Sequence, residues 1–267
     1  MTAPKNLAVA ITTKNNVRTI RECLESVKDV ADKIVVVDSG STDGTVEICR
    51  EMGAEVVYRE WPGPVAQKQY AMDQCADHDW VLNLDSDEMI DAELAASIRK
   101  AVLTARPELA GFSFNRKVWF RGAWLHHVFQ PEHRLRLVRP RLATVQGIGP
   151  QGKGGHDFVE VDGQVEYLTG TCKHDSWADA AEMMRRYVEL GARAAQHDPR
   201  RSSAVRLLLS PFAAFVKQYF LKQGCRDGRV GLLMCLGLAY GNAIKQMLKM
   251  AWDMEQSKDR TRARSGP

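Results

Sequence analysis

The chain has 267 residues, of which 45% are hydrophobic and 26% are charged. This composition is typical of a globular protein that buries a sizeable core, and it excludes a disordered, collagenous or disulfide-stapled chain. The 6 cysteines form no CxxC pair and lie at no zinc-binding spacing. We therefore expect reduced, structural thiols in a cytoplasmic protein.

The net charge of +4 is unevenly distributed along the chain. Residues 185–267 contain 16 Lys or Arg and 6 Asp or Glu, whereas residues 1–184 contain 21 and 27, so the two parts carry +10 and −6. A basic C-terminal part that is also apolar suits an anionic membrane surface or nucleic acid. We expect no nucleic acid partner, and salt-dependent binding to any duplex would overturn that expectation.

Short β-branched runs alternate with helical patterns in the first half of the chain, which predicts βαβ units and a mostly parallel sheet. The predicted strands are 7–12, 34–37, 55–58 and 80–84. The predicted helices are 17–27, 45–52, 65–75 and 92–105. Asp43 precedes the second helix and is expected to cap it.

The second half of the chain is less regular. After Pro107 it contains two predicted strands, GFSFNRKVWF and HRLRLVRP, and a Gly-rich segment at 147–155 that predicts a loop. Helices are predicted at 177–196, 204–222 and 230–253. The most apolar segment, 231–244, is shorter than the roughly 20 residues that cross a bilayer. The sequence therefore predicts no transmembrane helix.

Polar segments follow three of the predicted strands. TTKNN follows the first strand, DSGSTDGT follows the second, and DSDE follows the strand WVLNL. Because ligands bind where the carboxyl ends of parallel strands meet, we expect Asp38, Asp85 and Asp87 to lie at one edge of the sheet. Asp38 could accept hydrogen bonds from a nucleoside or from its own turn, and the residues leave both alternatives open.

Asp85 and Asp87 are two residues apart, so their carboxylates share one face of an extended backbone. Two such oxygen donors suit Mg²⁺ or Mn²⁺, with substrate phosphate supplying further ligands. The alternative is that Asp87 or Asp91 caps the next helix, but the position at a strand end favours the metal. TTKNN has no glycine and so no GxGxxG cradle, which argues against an NAD-dependent oxidoreductase and a nucleotidyltransferase.

Taken together, TTKNN, IVVVDSGSTDGT and WVLNLDSDE resemble the motifs of the family 2 inverting glycosyltransferases. GGHDFVEVDG, KHDSW and PFAAFVKQYFLKQGCRDGRVGLL are similar to lipopolysaccharide core glycosyltransferases of the WaaE/KdtX type. The resemblance implies an α/β GT-A fold, a Rossmann-like and mostly parallel sheet flanked by helices, with a C-terminal helical extension. The expected parts are a nucleotide-sugar-binding and catalytic domain at 1–176, a helical region facing the acceptor or a membrane at 177–256, and a disordered tail at 257–267.

The resemblance also implies a UDP-sugar donor, Mg²⁺ or Mn²⁺, and a lipopolysaccharide-core or similar lipid-linked glycan acceptor, with glucose as the default sugar. Thr12 would line the nucleotide, and Asp38 would bind uracil. Asp85 would lie on the donor side of the metal site, and Asp87 would coordinate the metal with it. Lys68 would lie near the donor or be an ordinary solvated helix lysine.

Asp157 is the expected base that takes the proton from the acceptor hydroxyl, and a solvated loop Asp is the alternative. His156 and His174 could orient the base, contact phosphate, ligate the metal or be ordinary hydrogen-bonded residues. Arg134 and Arg136 share one strand face, where they could hold phosphorylated or acidic acceptor groups or be solvated.

Two departures from the family pattern bear on activity. The first loop usually ends in Asn-Glu, but here it ends in Asn15-Asn16, and the usual His-Glu is His156-Asp157. They leave open a catalytically degenerate relative that binds or scaffolds at a membrane surface. The presence of both carboxylates of the DSD motif favours an active enzyme.

An apolar stripe in the C-terminal part has two interpretations. It could be a core face, or it could bind the inner face of the cytoplasmic membrane as a peripheral contact. The stripe consists of Leu208, Phe212, Phe215, Val216, Tyr219 and Phe220, with Arg206, Lys217 and Lys222 nearby.

Overall fold

The computed structural model describes residues 7–147, 157–196, 198, 200 and 203–264, with side chains through residue 256. The chain divides into two compact units. The first comprises Met1–Trp119 and Pro131–Ser176, and the second comprises Phe120–Gln130 and Trp177–Pro267. The segment 120–130 thus belongs with the C-terminal helices, which the sequence did not indicate.

The strands, in chain order, are β1 (Leu7–Thr13), β2 (Lys33–Asp38), β3 (Glu55–Tyr58), β4 (Trp80–Asp85), β5 (Glu88–Ile90), β6 (Leu109–Phe120), β7 (Ala123–Trp124), β8 (His133–Val138), β9 (Ala143–Gly147), β10 (Asp157–Val161) and β11 (Gln164–His174). The sheet of the first unit has the order β3-β2-β1-β4-β8-β6-β11-β5. Its first four strands are parallel, and β8 runs antiparallel to β4 and β6. Strands β9 and β10 form a separate antiparallel pair. The predicted α/β class is confirmed.

The register of the parallel strands brings the polar segments to one edge. Thr12 on β1 lies opposite Asp85 on β4. Thr13, the next residue on β1, lies opposite Asp38 on β2. Since neighbouring parallel strands point their carboxyl ends the same way, the acidic turns after β2 and β4 both begin beside the end of β1.

The helices of the first unit are α1 (Ile20–Val27), α2 (Thr45–Glu51), α3 (Pro64–Asp73) and α4 (Ala92–Thr104). The predicted cap of α2 was wrong. Gly44, with φ of 92°, is the N-cap residue, and Asp43 instead accepts hydrogen bonds from the backbone N and Oγ1 of Thr45. Asp91 caps α4 by accepting a bond from the N of Leu94 at 2.7 Å. The capping alternative therefore applies to Asp91, and Asp87 is left for another role.

Hydrophobic cores cover both faces of the sheet. Leu7, Val9 and Ile11 of β1 point into one cluster, and Ala8 and Ala10 point into the other. All five are buried, as expected for a central parallel strand that has no solvent-facing side. The second cluster also contains the inner face of α3, through Ala71 and Met72. This packing holds α3 against the sheet beside the carboxyl end of β4.

The second unit contains β7 and the helices α5 (Ala180–Gln196), α6 (Ala204–Val216) and α7 (Gly228–Arg264). A π-helical turn, Lys217–Leu221, continues α6. Tyr187 of α5 lies so close to Gly237 of α7 that a Cβ there would meet its ring at 2.9 Å, so glycine is required for this approach. The structure continues α7 to Arg264, where we expected a disordered tail from residue 257.

Among the described residues, one helix is long and apolar enough to cross a membrane, by length and composition alone. It is Ala204–Leu221, with a mean hydropathy of 1.2 and none of its 18 residues buried. The prediction of no transmembrane helix rested on 231–244, so it does not cover this longer helix.

Candidate active site

A buried lysine joins two of the predicted site residues. Lys68 on α3 is 7% exposed, which excludes the solvated alternative. Its Nζ lies 2.7 Å from Oδ1 of Asp85 and 2.7 Å from Oδ2 of Asp157. The pair β9–β10, which carries Asp157, is tied to α3 by a hydrogen bond from the N of Val145 to Oε1 of Gln69 at 2.8 Å. The structure therefore brings the donor-side carboxylate and the candidate base to one cation.

The second oxygen of Asp85 is held by an arginine. Nη2 of Arg136, on β8, lies 2.8 Å from Oδ2 of Asp85 and 2.6 Å from Oε1 of Glu88. Glu88 has no exposed surface, and its Oε2 accepts from the backbone N of Asp85 at 3.1 Å. Burial opposes the charge on both carboxyls, but the opposite charges outweigh it. Lys68 and Arg136 hold the pKa of Asp85 well below its usual range, and Arg136 is the main cause that lowers that of Glu88 to about 2.

The ion-pair chain continues through β6 to the start of β8. Arg116 on β6 donates from Nη1 to Glu88 at 2.9 Å and from Nη2 to Glu132 at 2.7 Å. Nη2 of Arg134 lies 2.7 Å from the same oxygen of Glu132. The expected acceptor role of Arg136 needs correction, because its guanidinium is buried against Asp85 and Glu88. Arg134, which is partly exposed, is bound to Glu132.

Sequence reasoning missed three members of this chain. Glu88 ends the DSDE segment but was given no role there, and Arg116 and Glu132 lie outside the segments that were assigned a function. Arg116, a charged residue within a largely apolar strand, was the one available signal, since buried charges are almost always paired. That signal would not have named the partners, which come from different strands.

Asp87 lies close to His174, which is distant from it in the sequence. Strand β11 pairs with β5 so that His174 lies opposite Glu88, and the N of Asp175 donates to the backbone O of Asp87 at 2.9 Å. The Nε2 of His174 is consequently 3.6 Å from Oδ2 of Asp87 and 2.5 Å from Oγ of Ser176. His156 lies outside the described residues, as does most of the Gly-rich segment.

The electrostatics of this pair differ from those of Asp85. Burial, with the nearby charges of Asp85 and Glu88, raises the pKa of Asp87, and the attraction of His174 only partly opposes this. Burial likewise lowers the pKa of His174. Among the described side chains, Nδ1 of His174 is a buried atom without a hydrogen-bond partner. Asp87 is thus a half-buried carboxylate that lacks the two full countercharges that Asp85 has.

These residues fit a divalent cation whose shell is completed by another molecule. In the described part of the chain, no group of three or more His, Cys, Asp or Glu side chains could hold a metal. Both oxygens of Asp85 already face cations, so the expectation that Asp85 ligates the metal is not what its contacts show. The oxygen of Asp87 and the imidazole of His174 are the donors that remain. Mg²⁺ and Mn²⁺ characteristically use few protein ligands together with substrate phosphates.

Asp38 is occupied by its own turn. Its Oδ2 accepts from the backbone N of Gly40 at 2.8 Å and of Ser41 at 3.0 Å, and its Oδ1 accepts from Oγ of Ser41 at 2.5 Å. Asp38 is buried, so the carboxylate organises the loop after β2. Thr12, also buried, lies next to this turn and opposite Asp85.

Asn16, which stands where the family pattern usually has Glu, makes two side-chain hydrogen bonds. Its Nδ2 donates to Oγ of Ser86 at 2.6 Å, and its Oδ1 accepts from Oγ1 of Thr19 at 2.9 Å. A carboxylate at this position could accept but could not donate to Ser86 in the same way. The amide therefore ties the first loop to the middle residue of the DSD motif.

The mostly parallel sheet, flanked by helices and with acidic turns at its carboxyl edge, is the α/β GT-A fold that the sequence predicted. The chain matches the model of Glycosyl transferase family 2 over residues 8–151 and belongs to that family. It is accordingly a glycosyltransferase, as the sequence predicted.

Three individual proteins illustrate what the chain is similar to. An uncharacterized glycosyltransferase of Rickettsia felis is 42% identical, over 96% of this chain and 93% of the relative. The lipopolysaccharide core biosynthesis glycosyltransferase LpsC of Rhizobium meliloti is 28% identical, over 79% of this chain and 80% of its own. Among solved structures, the mannosyltransferase PcManGT from Pyrobaculum calidifontis, in complex with GDP-Man and Mn²⁺, has a TM-score of 0.49 and 19% identity, covering 94% of this chain and 88% of that one.

Proposed function

We propose that this protein is an inverting glycosyltransferase that moves a sugar from a UDP-sugar to a lipopolysaccharide-core or similar lipid-linked glycan, with glucose as the default sugar. The observation that carries the proposal is the bridge made by Lys68, which sets Asp85 and Asp157 around one buried ammonium at 2.7 Å each. The acceptor class is supported by similarity to LpsC, whose name assigns it to lipopolysaccharide core biosynthesis.

The proposed reaction is a single displacement at the anomeric carbon of the donor sugar. Asp157 takes the proton from the acceptor hydroxyl as that oxygen bonds to the anomeric carbon. The bond from the anomeric carbon to the diphosphate breaks, and the nucleoside diphosphate leaves with its electron pair from the opposite face. At the anomeric carbon one C–O bond forms and one breaks on opposite faces, so its configuration inverts, while the proton passes from the acceptor oxygen to the carboxylate of Asp157.

The negative charge that develops on the leaving diphosphate needs stabilisation. Lys68 supplies a fixed ammonium in a largely dry setting, where such a charge is worth more than in water. Asp87 and His174 would hold Mg²⁺ or Mn²⁺, which would neutralise diphosphate oxygens when bound.

The nucleoside would bind at the ends of β1 and β2. In this proposal Asp38 contacts the uracil base and Thr12 lines the nucleotide site. Asp38 holds its turn through three hydrogen bonds, which would preorganise the loop that receives the base. Preorganisation lowers the ordering cost of binding.

Calorimetric titration with UDP, with and without Mn²⁺, tests the donor site. The intact protein should bind UDP more tightly with Mn²⁺, and Asp87→Asn should remove the metal dependence while Asp29→Asn, an exposed carboxylate, keeps it. Absence of UDP binding by the intact protein would overturn the UDP-sugar assignment. Nuclear magnetic resonance of the product then shows whether the configuration of the new glycosidic bond is inverted. UDP binding without any transfer to lipopolysaccharide-core acceptors would favour the degenerate scaffold.

A further inference from the structure

The second unit exposes a continuous apolar surface on α6 and its π-helical turn. Leu208 is 73% exposed, Phe212 66% and Leu221 75%. We call this surface the α6 apolar face. It consists of Val205, Leu208, Leu209, Phe212, Phe220 and Leu221. Positions 205, 208, 209 and 212 recur at helical spacings of three and four, so their side chains form one stripe.

This stripe is not a core face. The other long helices of the unit bury apolar side chains, with Met183 and Tyr187 on α5 and Met234 and Cys235 on α7. Helix α6 contacts α7 with a different side, where Oγ of Ser210 lies 3.5 Å from Oδ1 of Asn242. Contiguous exposed apolar surface of this kind marks an interaction site rather than ordinary surface. The core interpretation of the stripe is therefore wrong for its exposed members.

The positive charge around the α6 apolar face favours an anionic partner. Between Asp198 and Asp227 the sequence has 6 Lys or Arg and no Asp or Glu. Lys217 and Lys222, which flank the aromatic end of the face, are exposed. A second copy docked face to face would bring these like charges together, whereas anionic lipid headgroups would attract them.

The charged residues near the α6 apolar face indicate how deeply α6 enters a membrane. Lys217 interrupts the apolar run near its end, and α6 packs along α7, which carries the ion pairs Lys245–Asp198 at 2.9 Å and Lys249–Asp253 at 3.2 Å. A spanning helix would carry these charges toward the hydrocarbon, which is costly. A helix lying in the plane of the interface buries its apolar side and leaves the lysines among the headgroups.

We propose that the α6 apolar face inserts into the surface layer of an anionic phospholipid membrane. The face belongs to the second unit and uses none of the residues assigned to sugar transfer. The inference therefore stands or falls by lipid binding, independently of the proposed activity.

Vesicle flotation of the full chain without detergent tests this proposal. We expect binding to phosphatidylcholine vesicles that contain about 30% phosphatidylglycerol, and binding about tenfold weaker to phosphatidylcholine alone or in ~0.5 M NaCl. The double variant Leu208→Glu/Phe212→Glu should reduce binding by more than about tenfold. Leu103→Glu, at an exposed leucine of α4 in the first unit, is the matched control and should bind like the wild type.

A second variant separates charge from insertion. Lys217→Glu/Lys222→Glu changes only exposed side chains, so it should fold normally, as thermal melting would verify, and should lose the preference for anionic vesicles. Failure of the wild type to bind anionic vesicles would overturn the proposal. Light scattering that shows a dimer, broken by the α6 variant, would also overturn it, because the face would then bind a second copy. A protein that stays soluble only in detergent would overturn it too, because that would indicate a spanning helix.

Discussion

The Nζ of Lys68 lies 2.7 Å from Oδ2 of Asp157. The same ammonium contacts Asp85 at 2.7 Å, so one buried cation serves the candidate base and the donor-side carboxylate together. A nucleoside diphosphate that enters beside Lys68 would share this cation with both carboxylates. Under the proposed function, Lys68 would therefore couple donor binding to the environment of the base.

Lys68→Met should impair both catalysis and folding. Removing the ammonium leaves two carboxylates without a shared countercharge, which typically costs about 3–5 kcal/mol when a buried pair is broken. Loss of a preorganised charge at the leaving group should lower kcat by about 100-fold or more. Transfer assays and urea unfolding measure the two effects. Lys100→Met, at an exposed lysine of α4, should change neither, and wild-type activity in Lys68→Met would contradict the assigned role.

Asp87→Asn should stabilise the metal-free protein while it removes the response to metal. Because burial and neighbouring carboxylates raise the pKa of Asp87 in the folded state, folding favours its protonated form. Its contribution to stability is thus fully present below the ordinary carboxyl pKa of about 3.9 and is lost as the pH rises through the folded-state pKa. Asparagine cannot ionise, so the variant avoids this loss.

Thermal melting at several pH values checks this expectation. The variant should exceed the wild type by on the order of 1 kcal/mol at pH 7, and the difference should shrink toward pH 4. Addition of Mn²⁺ in the presence of UDP should raise the melting temperature of the wild type further but not that of the variant. A variant that is less stable at neutral pH, or that still responds to Mn²⁺, would show that Asp87 is not the carboxylate that awaits a cation.

Arg136→Met should destabilise the first unit strongly. Glu88, with no exposed surface, would keep Arg116 as a partner but lose the 2.6 Å contact with Arg136, and Asp85 would lose one of its two cations. The expected cost is about 3–5 kcal/mol. Adding Glu88→Gln should recover part of it, giving a coupling of about 1–3 kcal/mol in a double-mutant cycle measured by urea unfolding. Arg141→Met, at an exposed arginine, serves as the control, and strict additivity of the two changes would argue against a direct pair.

Asn16→Asp should weaken the link between the first loop and the DSD motif. The carboxylate keeps an acceptor for Thr19 but loses the amide that donates to Ser86 at 2.6 Å. We expect a cost of about 1–3 kcal/mol and lower transfer activity, because Ser86 lies between the two aspartates of the motif. Asn15→Asp is a matched control, since Oδ1 of Asn15 only accepts a bond from the N of Thr42. If both variants behaved alike, the amide of Asn16 would have no special role.

The sequence was sufficient to predict the early strands and helices, because the patterns that specify them are local. Strand 55–58 was predicted to the residue, and the other early strands and helices were predicted within a few residues. Apolar runs, glycines and prolines act on their immediate neighbours, so they are readable without the fold. The meeting of Asp38 and Asp85 at one edge followed as well, because parallel strands of known direction leave little choice.

The tertiary structure alone decided the partners of each charge. Arg136 meets Glu88 across 48 positions, and Asn16 meets Ser86 across 70. These contacts depend on the antiparallel insertion of β8 and on the position of the first loop, which no local pattern specifies. A carboxylate behaves differently according to what is buried beside it, as Asp85 and Asp87 show with opposite shifts in pKa. The sequence by itself determined which acids stand at the edge of the sheet, and the packing around them decided which are fully paired with cationic side chains of the protein and which are not.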